Sequence, residues 1–310
     1  VILTVTLNTA LDLTYAVPAL VPHSSHRVSE VTERPGGKGV NVARVLSALG
    51  HDTVVTGFAG GSTGTVLREL LGALPQGPTD ALVTVAGNTR RTLAVVDRSS
   101  GDTTQLNEPG PHIGAGEWAA FLGTFRDLLP QAVAVALCGS LPPGVHVGAY
   151  AELVRLARSA EVPVLLDTGG EPLRRGIAAR PDLVKPNAEE LAQLTGAREP
   201  LRATRDARRR GAHSVVTSLG PDGLLAVTPD GIWRAAPPAA VRGNPTGAGD
   251  SAVAGLLSAL AEGLGWQDRL ARAVALSTAT VLAPAAGEFD REAYEDLLPR
   301  VAVEQHTPAA

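Results

Sequence analysis

The residues best suited to chemistry lie in Asn244-Pro245-Thr246-Gly247-Ala248-Gly249-Asp250-Ser251, which runs straight into the helix-forming segment Ala252 to Ala261. Glycines at a helix start let backbone N–H groups come close to an anion, and the helix dipole favours negative charge at the same place. Gly247, Ala248 and Gly249 are therefore candidates for a nest that stabilises charge on a phosphoryl group in transfer. Asp250, in the first turn, is the candidate base for the attacking hydroxyl. Phosphoryl transfer asks for little else, because its catalysis is mostly placement and charge stabilisation. The plainer reading is a glycine-rich loop in which Asp250 only complements the dipole.

A second cluster, Pro35-Gly36-Gly37-Lys38-Gly39-Val40-Asn41-Val42-Ala43-Arg44, places three glycines in four positions ahead of another helix. It permits close approach to a ligand, with Lys38 as a point charge and Asn41 able to donate and accept. It is not a Walker A loop, since no Ser or Thr follows Lys38 and the glycine spacing differs. A simple tight turn is the alternative.

These loops need a scaffold, and the chain alternates short apolar runs with helical patterns. Ile2 to Leu7, Thr53 to Phe58, Val133 to Cys138, Val162 to Asp167, Asp182 to Lys185 and Ser214 to Ser218 read as strands. Several are apolar on both faces, as in a parallel sheet covered by helices on both sides. Helical patterns occupy 39–49, 63–72, 116–129, 148–160, 188–194 and 201–210. The expected fold is α/β: a doubly wound, mostly parallel sheet flanked by helices, in one domain over 1–310. Two stretches, about 10–34 and 86–107, lack helical pattern. In the second, Thr92 to Asp97 and Asp102 to Asn107 flank Arg98-Ser99-Ser100-Gly101 as a hairpin. Together they are expected to form a small β-sheet lid over one edge of the main sheet.

Composition narrows the partners. A net charge of −4 with interspersed acids and bases leaves no basic footprint for nucleic acid, and Arg208-Arg209-Arg210 reads as a solvated helix end. No apolar stretch reaches the roughly 18 residues of a membrane span. The single cysteine, Cys138, follows an apolar run and reads as a core thiol in a reducing compartment. The N-terminus lacks the basic n-region of a signal peptide, so the expected location is cytoplasmic.

Taken together, eight segments in order resemble the ribokinase-like PfkB carbohydrate kinases, in the 1-phosphofructokinase and tagatose-6-phosphate kinase branch. They are Thr6 to Asp12, the Gly-Gly-Lys-Gly loop, Asn107-Glu108-Pro109-Gly110-Pro111 and Cys138-Gly139-Ser140-Leu141-Pro142-Pro143-Gly144. Leu166-Asp167-Thr168-Gly169-Gly170-Glu171, Lys185-Pro186-Asn187-Ala188-Glu189-Glu190, Ser218-Leu219-Gly220-Pro221-Asp222-Gly223 and the Gly-Ala-Gly-Asp loop follow.

The resemblance implies roles. Asp12, Gly37, Asn41 and Ser140 would line a sugar pocket, while Lys38 and Arg90, with Arg27 a weaker candidate, would hold a phosphate already on the sugar. Lys185, Asn187, Ser218, Gly220, Gly223 and Gly249 would lie along ATP, and Asn187 with Glu190 would hold Mg²⁺ through water. The same Asn-x-x-Glu spacing is also a helix capping box, and the two readings are compatible. Pro245 departs from many relatives, which have Thr there, and so lacks a hydroxyl and an N–H for nucleotide contact. The implied activity is ATP-dependent phosphorylation of fructose 1-phosphate to fructose 1,6-bisphosphate, with tagatose 6-phosphate as the alternative substrate. A sugar-phosphate sensor without catalysis is the rival of another class, but base, nest and Mg²⁺ motif are all present. A homodimer through the lid is a further expectation, because lid edges need cover.

Overall fold

In the computed structural model, which describes residues 1–28, 30–283 and 285–306, the chain forms fourteen strands and ten α-helices among those residues. The strands are β1 (Ile2–Thr6), β2 (Ala10–Val17), β3 (Glu30–Gly36), β4 (Thr53–Gly60), β5 (Thr79–Val85), β6 (Arg90–Asp97) and β7 (Thr103–Asn107). They continue with β8 (Ala134–Cys138), β9 (Val164–Asp167), β10 (Leu183–Val184), β11 (Ser214–Ser218), β12 (Leu224–Thr228), β13 (Gly231–Ala236) and β14 (Ala302–His306). The helices are α1 (Lys38–Ala48), α2 (Gly61–Gly72), α3 (Ala115–Leu128), α4 (Ala149–Ser159) and α5 (Gly170–Ala178). After them come α6 (Ala188–Thr195), α7 (Pro200–Arg209), α8 (Ala248–Ala261), α9 (Trp266–Val281) and α10 (Arg291–Leu297).

Ten strands make one sheet in the order β5-β4-β1-β8-β9-β10-β11-β12-β13-β14. Neighbours are parallel from β5 to β11 and antiparallel from there to β14. Every residue of β1 and β8 is buried, as strands covered on both faces require. Strand alternation splits β8 between two cores. Val135 and Leu137 pack with Phe121, Leu153, Leu173 and Leu191 from α3 to α6. Ala134, Ala136 and Cys138 pack with Val42 of α1, Val253 of α8 and Leu276 of α9.

The second face is built from small residues, which lets helices come close. A Cβ on Gly255 of α8 would stand 2.7 Å from Ala273 Cα of α9. As a result α8 is buried from Asp250 to Ala259, and the candidate base sits on a helix with little freedom to shift. Cys138 lies in this core as expected, and burial pushes its thiol well above the usual range, away from nucleophilic use.

The two stretches without helical pattern form a separate four-stranded sheet, β3-β2-β6-β7. β6 and β7 make the expected hairpin, and β2 joins β6 in parallel and β3 antiparallel. This sheet is rooted where β1 and β5 end and α1 begins, at the carboxyl ends of the parallel strands, where open α/β sheets bind ligands. Among the described residues no helix is long and apolar enough to cross a membrane.

Candidate active site

Two of the helices that start bare at this end of the sheet do so on a glycine in the left-handed half of backbone space. Gly37 at the start of α1 (φ 103°) and Gly247 at the start of α8 (φ 86°) both have positive φ, and neither helix has a side-chain cap. A Cβ on Gly39 would meet Thr6 Oγ1 at 2.4 Å, so the first loop lies directly on the end of β1. A Cβ on Gly247 would meet Ala286 Cα at 2.7 Å, so the second is backed by the chain after α9. Thr246 N–H donates to Asn244 Oδ1 (3.0 Å) and Ala248 N–H to the Pro245 carbonyl (3.1 Å). The N–H groups of Gly247, Gly249 and Asp250 have no partner among the described residues. The open nest thus differs by one from the expected set: Ala248 is turned inward, and the N–H of Asp250 stands in its place.

Asp250 is buried (8% exposed), and its Oδ2 accepts from Asn41 Nδ2 at 2.9 Å. Burial raises its pKa to about 6, against the pull of Lys38 and with a further push from Asp167. Asp167 is a residue that sequence reasoning missed. It is 1% exposed at the end of β9, with Lys38 Nζ 3.6 Å from one oxygen and Lys185 Nζ 3.5 Å from the other. Neither oxygen has a hydrogen-bond partner among the described residues. Its charge holds Lys38 above the ordinary lysine range despite burial. Lys185 is buried beside the nest, with Nζ 3.8 Å from where a Cβ on Gly249 would stand. The available signal was Asp167's position at a strand end inside a matched segment, but only the fold brings the two lysines to it.

On the small sheet, Asp12 faces Thr92 across β2 and β6, and the Thr92 hydroxyl donates to Asp12 Oδ1. Burial raises the Asp12 pKa, while Thr92, Arg90 and Arg44 act the other way. Gly36 of β3 has no room for a side chain, since a Cβ there would overlap the Asp12 carboxyl at 2.0 Å. Arg90 Nε donates to the Asn8 carbonyl (3.2 Å), and Asn8 Nδ2 donates to Ser140 Oγ (3.1 Å) and to the Pro109 carbonyl (3.1 Å). Asn8, unassigned from sequence, therefore ties together three segments that the sequence lists far apart. Lys38 and Arg90 approach from different sides, one paired with Asp167 and the other beside Asp12. Arg27 is exposed on the connection between β2 and β3.

Arg44 is another residue that sequence reasoning missed. It is buried in α1 and donates to the Ala286 carbonyl (3.0 Å) and to Glu288 Oε1 (3.0 Å), bracing the segment behind Gly247. Arg34 of β3 reaches the same Glu288 oxygen at 3.0 Å, so the small sheet and the nest share a support.

Asn187, Ser218, Gly220, Gly223, Pro245 and Gly249 line a cavity of about 610 Å³ on the other side of the nest. At its edge, Asn187 Oδ1 accepts from Glu190 N–H (2.8 Å) and Glu190 Oε2 from Asn187 N–H (2.9 Å), which is the reciprocal capping box. Glu190 Oε1 has no hydrogen-bond partner among the described residues and lies near Gly169. Among the described residues no group of three or more His, Cys, Asp or Glu could hold a metal. These donors fit an ion carried mainly by water and phosphate oxygens, the habit of Mg²⁺, better than a protein cage.

Residues 5–292 match the model of the pfkB family carbohydrate kinases. The chain is similar to a 1-phosphofructokinase of Rhodobacter capsulatus, 39% identical over 291 residues that cover 91% of this chain and 92% of that protein. A solved structure of a possible 1-phosphofructokinase from Thermotoga maritima superimposes with a TM-score of 0.90 at 28% identity, over 99% of each chain. Phosphofructokinase-2 from Escherichia coli, in complex with substrates and products, does so with a TM-score of 0.88 at 28% identity, over 96% of this chain and 98% of that one. The ribokinase-like architecture expected from the motifs is the one found.

Proposed function

We infer that this chain, which belongs to the pfkB family of carbohydrate kinases, transfers the γ-phosphoryl group of ATP to fructose 1-phosphate, giving fructose 1,6-bisphosphate and ADP. ATP-dependent sugar phosphorylation is the activity of the family; the substrate and the residue roles are our reading. One observation carries it: a buried carboxylate, Asp250, stands at the start of α8 beside the unpartnered N–H groups of Gly247 and Gly249. A base and an anion nest on one helical turn are what a phosphoryl acceptor and donor need in line.

The free primary hydroxyl of the sugar phosphate faces Asp250, which takes its proton as the oxygen bonds to the γ-phosphorus. The bond from that phosphorus to the β–γ bridging oxygen breaks, and ADP leaves with the electron pair. With a pKa near 6, Asp250 is mostly ionised at neutral pH yet basic enough to accept the proton. Asn41 orients the carboxylate. Gly247 and Gly249 N–H groups, and Ala248 through the turn it closes, shape the site for the charge on the transferring group. Lys185, held by Asp167, adds positive charge there.

Asp12, Gly37, Asn41 and Ser140 hold the sugar hydroxyls, while Arg90 and Lys38 hold its phosphate, with Arg27 reaching in only if its connection folds over. Ser218, Gly220 and Gly223 flank the nucleotide. Mg²⁺, held by Asn187 and Glu190 through water, would neutralise charge on the β- and γ-phosphates. The small sheet acts as a lid that excludes water, and its exposed Val31 (57%) and Leu106 (59%) support pairing of two copies through the lids.

A kinetic panel tests the reading: kcat/KM for fructose 1-phosphate, fructose 6-phosphate, tagatose 6-phosphate and unphosphorylated sugars. Fructose 1-phosphate should lead, and a higher value for any other sugar overturns the substrate assignment. A monomeric mass in solution at micromolar concentration would remove the dimer.

A further inference from the structure

Asn8 stands in the turn between β1 and β2, 6% exposed, beside groups assigned above to the sugar phosphate. Its neighbours fix which way its amide points. The Pro109 carbonyl can only accept, so the amide atom 3.1 Å from it must be Nδ2. The other Nδ2 proton goes to Ser140 Oγ, also at 3.1 Å, which makes the serine oxygen the acceptor. Ser140 is exposed and has no further hydrogen-bond partner among the described residues. Its own proton is therefore left to donate to whatever occupies the pocket.

The backbone of the same residue holds Arg90. The Asn8 carbonyl takes the Arg90 Nε proton at 3.2 Å, and the two terminal nitrogens of that guanidinium have no partner among the described residues. Nη1 and Nη2 remain as a two-pronged donor, the part of arginine that grips a phosphate in two places. One residue thus leaves Ser140 with its proton free and Arg90 with its fork free.

This arrangement leaves one group unsatisfied. Asn8 Oδ1 is buried with no hydrogen-bond partner, and it lies against Gly110, where a Cβ would stand 2.2 Å from it. An orphaned buried acceptor is unfavourable, and an apolar residue would fill the turn without one. Packing alone therefore does not account for an amide at this position, whereas a use for both Nδ2 protons does. On the kinase reading above, we propose that Asn8 is a positioning residue for the sugar phosphate. Its amide turns the Ser140 hydroxyl into a donor to an oxygen of the ligand, and its carbonyl separately steadies the Arg90 fork. The Asn8 side chain acts through Ser140 and has no part in holding ATP.

A double-mutant cycle tests this, run with whichever sugar phosphate leads the kinetic panel, so that a wrong substrate assignment does not confuse it. Ser140→Ala and Asn8→Ala should each raise KM for the sugar phosphate by about tenfold, the weight of one hydrogen bond, with kcat and the KM for ATP within about twofold of the parent. The double variant should lose little beyond either single one. Losses that multiply, or an unchanged sugar-phosphate KM in either single variant, overturn the proposal. Because the carbonyl survives these substitutions, Arg90→Ala should lose the same factor in the Asn8→Ala background as in the parent. A smaller loss there, or an equal rise in the KM for ATP, means that the turn has collapsed, which makes Asn8 a structural pin and overturns the proposal too. Should Asn8→Ala not fold, Asn8→Asp keeps the shape, lacks the donors and takes the Ser140 proton for itself. The same rise in KM is then expected, and a parental KM overturns the proposal. If the parent transfers phosphate to no sugar phosphate in the panel, the kinase reading falls and this one with it.

Discussion

Two helices open onto the same cavity and treat their first N–H groups in opposite ways. α6 satisfies two of them itself, through the reciprocal pair of Asn187 and Glu190. α8 begins on Gly247, with no side-chain cap, and leaves three N–H groups open. A capped start leaves fewer N–H groups for an anion than a bare one, which an arriving phosphate would complete. On the kinase reading proposed above, the difference suits α8 to the phosphoryl group and leaves α6 a supporting place. The cost of leaving α8 bare is offset by its burial against α9 and the sheet, where tertiary packing supplies what capping does not.

Substitutions can break this contrast. The largest effect is expected from Asp250→Asn, which keeps shape and the Asn41 contact but removes the base. Turnover should fall by about 10²- to 10⁴-fold with sugar-phosphate binding little changed. Steady-state rates beside an equilibrium binding assay check it, and near-parental turnover would remove Asp250 from the mechanism. Next comes Gly247→Val, which forces a side chain into Ala286 and a strained φ. Closing the nest should lower kcat by about 10²- to 10³-fold. A loss confined to KM would mean that these amides bind the nucleotide without favouring the transition state.

A third prediction concerns pH. Because the native Asp250 pKa, about 6, lies above the ordinary aspartate value of 3.8, burial of its charge destabilises the fold whenever it is ionised. The native state binds the proton more tightly, so this cost is full above pH 6, shrinks as pH falls and vanishes below the unfolded value. Asp250→Asn should therefore be more stable than the parent at pH 8, by on the order of 3 kcal/mol, with the gap closing below pH 4. Urea unfolding at several pH values measures it. The rate should show the reverse dependence, rising through pH 6 as the base ionises. The smallest effect belongs to α6: Asn187→Ala should cost about 1 kcal/mol of stability as a lost cap. It should also raise the Mg²⁺ concentration needed for half-maximal rate, and an unchanged Mg²⁺ response would leave Asn187 as a cap alone.

Much of this was legible residue by residue. The parallel strands announced themselves as short apolar runs, and the β6–β7 hairpin by its Gly-containing turn. Other elements escaped. β5 is an edge strand with exposed polar positions, and its Thr79-Asp80 start masks the pattern. α5 opens on Gly170-Glu171-Pro172, which reads as a loop until its buried Leu173 and Ile177 are placed on one face. α9, β13 and β14 lack flanking motifs and gain their meaning from packing on α8 and from pairing outward from β12.

The order of the motifs, the glycines that need positive φ and the acid after them are local properties, written in residue types and spacing alone. Which groups meet is not local. Asp167 and Lys38 lie on separate strands and helices, Asn8 bonds across to Ser140, and Arg34 and Arg44 share Glu288. The pKa of Asp250 belongs to this second class, because it follows from desolvation and from neighbours distant in the chain. Spacing sets what a residue can offer, and only the closed fold sets the dielectric and the partners in which it is used.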